Sequence, residues 1–120
     1  MALRNTAIVA TLMLACATAH AANLGFLGNA PISRMTAEDV DLLYAAAIDA
    51  LENSANGVRT GWENPSTSAG GTFMPTQTFS GPAGKPCRQL QVTSRAGGLR
   101  NQLSLPLCKQ PDGTWKIKTE

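Results

Sequence analysis

The segment Cys87-Arg88-Gln89-Leu90-Gln91-Val92-Thr93-Ser94-Arg95-Ala96-Gly97-Gly98-Leu99-Arg100-Asn101-Gln102-Leu103-Ser104-Leu105-Pro106-Leu107-Cys108 reads as one β-hairpin. Gly97-Gly98 suits a two-residue turn that needs positive φ at both positions. That turn sets a register in which the numbers of each facing pair add to 195. Cys87 then faces Cys108. Counted from the turn, this is a non-hydrogen-bonded pair, where Cα atoms approach to about 4.5 Å, close enough for a disulfide. The same register sorts the side chains by face. Leu90 meets Leu105, Val92 meets Leu103 and Arg88 meets Leu107 on an apolar face. Gln89, Gln91, Thr93 and Arg95 meet Pro106, Ser104, Gln102 and Arg100 on a polar face, which the cysteines share. A one-residue slip would mix the faces and part the cysteines.

Downstream, Pro111-Asp112-Gly113 signals a second turn and returns Trp115 to Thr119 beside the hairpin, with Trp115 and Ile117 toward the apolar face. Upstream, Val58–Trp62 and Thr72–Phe79 read as strands, and Pro75 restricts the second to an edge or a bulge. Glu63–Gly71 and Ser80–Pro86 read as loops. Thr36 is a helix cap, and Glu38, Asp39 and Asp41 sit at the positive end of the helix dipole. Val40, Leu43, Tyr44, Ala47, Ile48 and Leu51 then recur at helical spacing, and Asn56-Gly57 is a stop, so a helix runs from about 37 to 55. The fold class is α+β: one amphipathic helix packed on a four- to five-stranded antiparallel β-meander.

Residues 1–21 read as a secretory signal peptide, with Arg4, an apolar run from Ala7 to Ala17 and the cleavage site Ala19-His20-Ala21. Cleavage there makes Ala22 the first residue and removes the only histidine, His20. Met13-Leu14-Ala15-Cys16 loosely resembles a lipoprotein signal and makes Cys16 a candidate lipid anchor. Residues 22–35 read as a flexible arm and 36–120 as the domain. An oxidising compartment suits the disulfide Cys87–Cys108.

The chain has 120 residues, 43% hydrophobic and 15% charged, with a net charge of +2, which is one domain and no dedicated nucleic-acid binder. Residues 23–63 carry two bases against six acids, and residues 64–120 carry seven bases against two acids. Lys85, Arg95, Arg100, Lys109 and Lys116 are candidates for a basic patch that suits an anionic envelope polymer. Neither catalytic, cofactor nor metal residues emerge: the mature chain has no histidine, no phosphate loop and no nucleophile with a visible base. The acid cluster at the helix start is read as capping rather than as a metal site. Trp62, and the loop Glu63–Gly71 with Asn64, form a candidate binding edge, against the plainer reading that Trp62 packs on the sheet end. Arg95 and Arg100 face each other as like charges, which either splay into solvent or hold an anion. Arg88 is read as a snorkelling side chain at the core margin.

Several motifs occur in a fixed order: Trp62-Glu63-Asn64-Pro65, Gly71-Thr72-Phe73-Met74-Pro75 with Thr78-Phe79, Cys87-Arg88, Cys108-Lys109, and Pro111-Asp112-Gly113-Thr114-Trp115. This set resembles the C-terminal globular domain of the 17-kDa surface antigen family of Gram-negative bacteria, over about Leu42 to Lys118. Lys109 stands where that family usually has arginine, and its glycine-zipper segment is not seen in residues 23–35. The resemblance implies an exported envelope protein in the periplasm or outer membrane and implies no reaction. Three roles follow as expectations: a structural or interaction domain, a binding protein or inhibitor of an envelope-active enzyme, and a binder of anionic envelope glycan. The partner is an unidentified envelope component, and no membrane span is expected in the mature chain.

Overall fold

The computed structural model describes residues 31–118. The signal peptide, its cleavage at Ala22 and the candidate anchor Cys16 lie outside the described residues. Helix α1 (Ala37–Asn53) is followed by strands β1 (Thr60–Asn64), β2 (Ala69–Ser80), β3 (Pro86–Ala96), β4 (Leu99–Lys109) and β5 (Trp115–Ile117). The strands form one antiparallel meander in the order β1-β2-β3-β4-β5. Helix α1 lies over one face of it.

The β3–β4 hairpin has the register read from its turn, from Cys87↔Cys108 to Ala96↔Leu99. Gly97 and Gly98 take φ of 55° and 82°, which an L side chain adopts only at a cost. Cys87 and Cys108 are bonded, with Cα atoms 4.0 Å apart and a sequence separation of 21. Closing a loop of that size stabilises the fold by about 3 kcal/mol through the entropy of the unfolded chain.

On the helix-covered face, Leu43, Ala47, Ala50 and Leu51 pack against Phe73, Leu90, Val92 and Leu107. The buried line of the helix is rotated from the expected stripe. Ala50 replaces Val40, Tyr44 and Ile48, which are only half-buried. Trp62, Leu103, Leu105, Trp115 and Ile117 pack half-buried around this core. Pro31 is buried, and Ile32 and Met35, in the stretch read as an arm, also lie against it.

Two further expectations are corrected. The loop read over Glu63–Gly71 is only the four residues 65–68, because β1 runs to Asn64 and β2 starts at Ala69. Side chains tighten this turn: Ser66 N–H donates to Asn64 Oδ1 (3.0 Å) and Ala69 N–H to Thr67 Oγ1 (3.2 Å). Val58 stays outside the sheet, 48% exposed. Pro75 sits at a bulge between Pro75 and Gln77, just past Phe73, the last β2 residue paired with β1. There its missing N–H leaves no ladder bond unmade.

The disulfide points to the uncovered sheet face, yet Cys87 is fully buried. It is covered by the turn after β2, where Gly81 N–H donates to Lys85 O at 2.8 Å. A Cβ at Gly81 would run into Cys87 Sγ. Gly81→Ala should therefore lower the unfolding free energy of the oxidised protein by about 1–3 kcal/mol, the usual effect of overpacking. In a Cys87→Ala/Cys108→Ala background the same change should have much less effect. Urea denaturation of the four proteins checks this, and an equal loss in both backgrounds would refute the contact.

Candidate functional site

The four side chains singled out for binding separate onto opposite faces. Trp62 and Asn64 belong to the helix side, and Arg95 and Arg100 to the uncovered side. Trp62 is half-buried against the core, and its Nε1 is buried without a partner among the described residues. Asn64 is 3% exposed and is occupied on every side. Its amide donates to Asp39 Oδ1 (2.7 Å) and Glu38 Oε1 (3.1 Å), and its oxygen accepts from Ser66 N–H.

Asp39 is the centre of this cluster. It is fully buried, although it sits in the first turn of a helix. Its Oδ2 accepts from Thr36 N–H (3.0 Å) in a capping box, and its Oδ1 accepts from Asn64 and from Thr67 Oγ1 (2.7 Å). Burial pushes its carboxyl up, but the Thr36 amide, the Thr67 hydroxyl, the Asn64 amide and the Thr36 hydroxyl together hold it below the ordinary value. A carboxylate saturated with donors is a weak base, so its work is structural: it fastens the helix N-terminus to the β1–β2 turn.

The other end of α1 is fastened by Arg88, the residue read as a snorkelling side chain. Its Nη1 donates to the carbonyls of Leu51 (2.9 Å) and Ala50 (3.3 Å), its Nη2 to Asn56 Oδ1 (2.9 Å) and its Nε to Thr78 Oγ1 (3.1 Å). A cation there satisfies free carbonyls and opposes the helix dipole. A third tie is Glu52, which accepts from Trp115 Nε1 (2.9 Å) and pairs with Lys109 Nζ at 2.9 Å. Lys109 thus lies on the helix side and leaves the basic patch read from the sequence.

On the uncovered face the row Glu63↔Gly70↔Arg95↔Arg100 crosses four strands. Gly70 has no side chain, so the Arg95 guanidinium lies across it, where a Cβ would come within 2.7 Å of Nη2. It reaches Glu63 Oε1 at 3.7 Å, with the side chains 39% and 64% exposed. This draws Arg95 away from Arg100 and accounts for the tolerated like-charge pair. Such an exposed, long ion pair is worth about 0–1 kcal/mol. Arg100 is exposed and has no ion-pair partner among the described residues. Arg95, Arg100, Thr93, Gln102 and the backbone around Ser94 and Asn101 line a shallow concavity of about 380 Å³.

These ties now explain what the ordered sequence motifs do. Asn64 of Trp62–Pro65, Arg88 beside Cys87, Lys109 beside Cys108 and Trp115 after the last turn each reach the helix or its caps. The profile of the family described as 17 kDa outer membrane surface antigen matches residues 49–116. The chain belongs to this family. It is similar to the "17 kDa surface antigen" of Rickettsia prowazekii (strain Madrid E), 32% identical over 80 residues, which are 67% of this chain and 50% of that protein. It is likewise similar to that of Rickettsia bellii (strain RML369-C), 31% identical over 83 residues, 69% of this chain and 52% of the other. That of Rickettsia conorii is 30% identical, with the same coverage. The chain spans about half the length of the curated relatives it matches. No solved structure matches it. In this surface-antigen domain Asn64, Arg88, Lys109 and Trp115, all within the motifs that carry the resemblance, are therefore scaffold.

The Asp39 cluster has a pH signature. Its folded pKa is lowered, so its contribution is fully present above the unfolded value, about 3.9, and is lost as pH falls through the folded value. Thr67→Val removes one donor and should cost roughly 1.5–3 kcal/mol at neutral pH, as for hydrogen bonds to charged groups. That cost should shrink as pH falls below the unfolded value and Asp39 takes up its proton. A cost independent of pH, in denaturation curves across that range, would refute a charge-linked tie.

Proposed function

We propose that the chain is an exported, non-enzymatic protein of the cell envelope that acts as an interaction domain through the uncovered face of its sheet. The observation that carries this is the pair Arg95 and Arg100, opposed at one end of a mainly polar face that holds Thr72, Gln91, Thr93, Gln102 and Ser104 beside Met74 and Pro106. Two arginines facing each other across β3 and β4, one leaning on a weak ion pair with Glu63 and one without an ion-pair partner among the described residues, suit a carboxylate or phosphate that draws both guanidiniums onto it. The partner class is an anionic envelope polymer. Family membership and the relatives' printed description as surface antigens support an envelope location. Among the described residues, no helix is long and apolar enough to cross a membrane. The non-enzymatic reading is supported by Asp39, whose buried carboxylate is committed to donors rather than poised as a base.

Binding of purified envelope polysaccharide at low salt tests the reading. Arg95→Gln/Arg100→Gln should weaken binding at least tenfold, about 1.4 kcal/mol, and the residual binding should respond less to salt. Glu63→Gln frees Arg95 and should strengthen binding. Stability should change by less than about 0.5 kcal/mol in either variant. Unchanged binding in both would overturn the assignment of this face. A hydrolase or transferase activity that survives Trp62→Ala together with the double change would overturn the non-enzymatic reading.

A further inference from the structure

The far end of the uncovered face carries a second cationic site, built by the disulfide rather than by the hairpin turn. Cys87 and Cys108 lie eight residues along β3 from the Arg95–Arg100 pair, roughly 27 Å away at the usual rise of a strand. In the β4–β5 ladder Lys116 faces Cys108. Lys118 N–H donates to Pro106 O at 2.8 Å, which extends the ladder one step. Lys118 therefore falls on the same face as Lys116, two residues away. On the other side, Lys85 is two residues before Cys87 in the turn that covers the disulfide. Its ammonium donates to Gln110 Oε1 at 2.9 Å, which holds it over β4. Lys85, Lys116, Lys118, Gln110, Pro82 and Cys108 line one concavity of about 330 Å³.

The charge in this concavity is unbalanced. The two ion pairs among the described residues, Arg95–Glu63 and Lys109–Glu52, use none of its lysines. Among the described residues, the acid whose carboxyl is shifted by a lysine of the site is Asp112. Its carboxyl is held below the ordinary value first by the Thr114 amide and hydroxyl, and less by Lys116. Both Thr114 donors bind Asp112 Oδ1, at 3.0 and 2.7 Å, so that carboxylate caps its own turn. Three lysines lining one concavity with no ion pair among the described residues make it electropositive, which favours a compact anion. Ammonium groups are compact point charges with rotatable donors and suit the tetrahedral oxygens of phosphate. The floor is pinned, because Cys87–Cys108 joins the strand that follows one lysine to the strand that faces another.

We propose that Lys85, Lys116 and Lys118 form a phosphate-binding site at the disulfide end of the sheet, and that the disulfide holds its two walls in place. The phosphate group is the recognised chemistry, whether carried by a membrane lipid headgroup or free in solution. This site is separate from the arginine face and stands without it.

The test uses the exported full chain, inorganic phosphate compared with sodium chloride at equal ionic strength, and vesicles of phosphatidylglycerol in phosphatidylcholine compared with pure phosphatidylcholine. In NMR titrations phosphate should shift the amides of Lys85, Gln110 and Lys116 saturably, and chloride should not. Lys85→Gln/Lys118→Gln should weaken the binding read at these amides at least tenfold, while Arg95→Gln/Arg100→Gln, at the other end of the sheet, leaves the shifts of these amides in place. Reduction of the disulfide should weaken it as well. Capture by the anionic vesicles with the same lysine dependence assigns the headgroup as the source, and phosphate binding without vesicle capture assigns a soluble phosphate. Shifts that do not saturate, or binding that the lysine change leaves intact, would overturn the proposal. An effect of the arginine pair alone would overturn it while leaving the polymer-binding reading in place.

Discussion

A single buried carboxylate sets the geometry of this domain. Asp39 is fully enclosed, and an ionised group without water must find donors or lose its charge. Its donors come from Thr36 on its own helix and from Asn64 and Thr67 on the β1–β2 turn. The helix can therefore dock with only one end at that turn and one rotation about its axis. Arg88 fixes the opposite end through the carbonyls of Ala50 and Leu51, and Glu52 ties the flank to Lys109 and Trp115. Apolar contacts alone would tolerate a small rotation of the helix, since several of its neighbouring positions are also apolar. The polar ties remove that freedom, as buried polar groups do when they specify register.

This division of labour bears on function. A five-stranded sheet with one helix has one covered face and one open face, and Asn64, Arg88, Lys109 and Trp115 of the family motifs serve the covered one. Sequence motifs of this kind invite a search for a ligand around Trp62 and Asn64, yet Asn64 has its donors and acceptor engaged inside the protein. The open face instead offers short polar side chains between two cationic ends. One end is made by the like-charge pair of the hairpin, relaxed by Arg95 leaning over Gly70 toward Glu63. The other is made by lysines gathered around the disulfide.

What could be read from sequence follows the range of the interactions involved. The hairpin register and the Cys87–Cys108 pairing were legible because a two-residue turn and a period of two are local facts. The capping role of Thr36 was legible for the same reason. The length of the loop near residue 65 was not, because Thr67 and Asn64 tighten it while reaching a helix 25 or more residues away. The role of Arg88 depends on carbonyls 37 and 38 residues distant, and nothing in its neighbours announces them. Lys109 is a different case: its parity with Leu107 already places it on the helix side, so its inclusion in a patch with Arg95 and Arg100 neglected the register. Lys118 shares the parity of Lys116 in the returning strand read over Trp115 to Thr119, so leaving it out of the patch neglected the register too; its backbone bond to Pro106 carries that register one step beyond β5.

The most direct test of the central claim is a double-mutant cycle between Asp39 and Asn64, measured as unfolding free energies in urea at neutral pH for the wild type, Asp39→Ala, Asn64→Ala and the double variant. If the carboxylate–amide tie fixes the helix on the sheet, each single change leaves a buried partner unsatisfied. The double change should then cost less than the sum of the two by about 1–3 kcal/mol. Additive costs, within about 0.5 kcal/mol, would mean that the two residues stabilise the fold independently and that this tie does not fix the helix on the sheet.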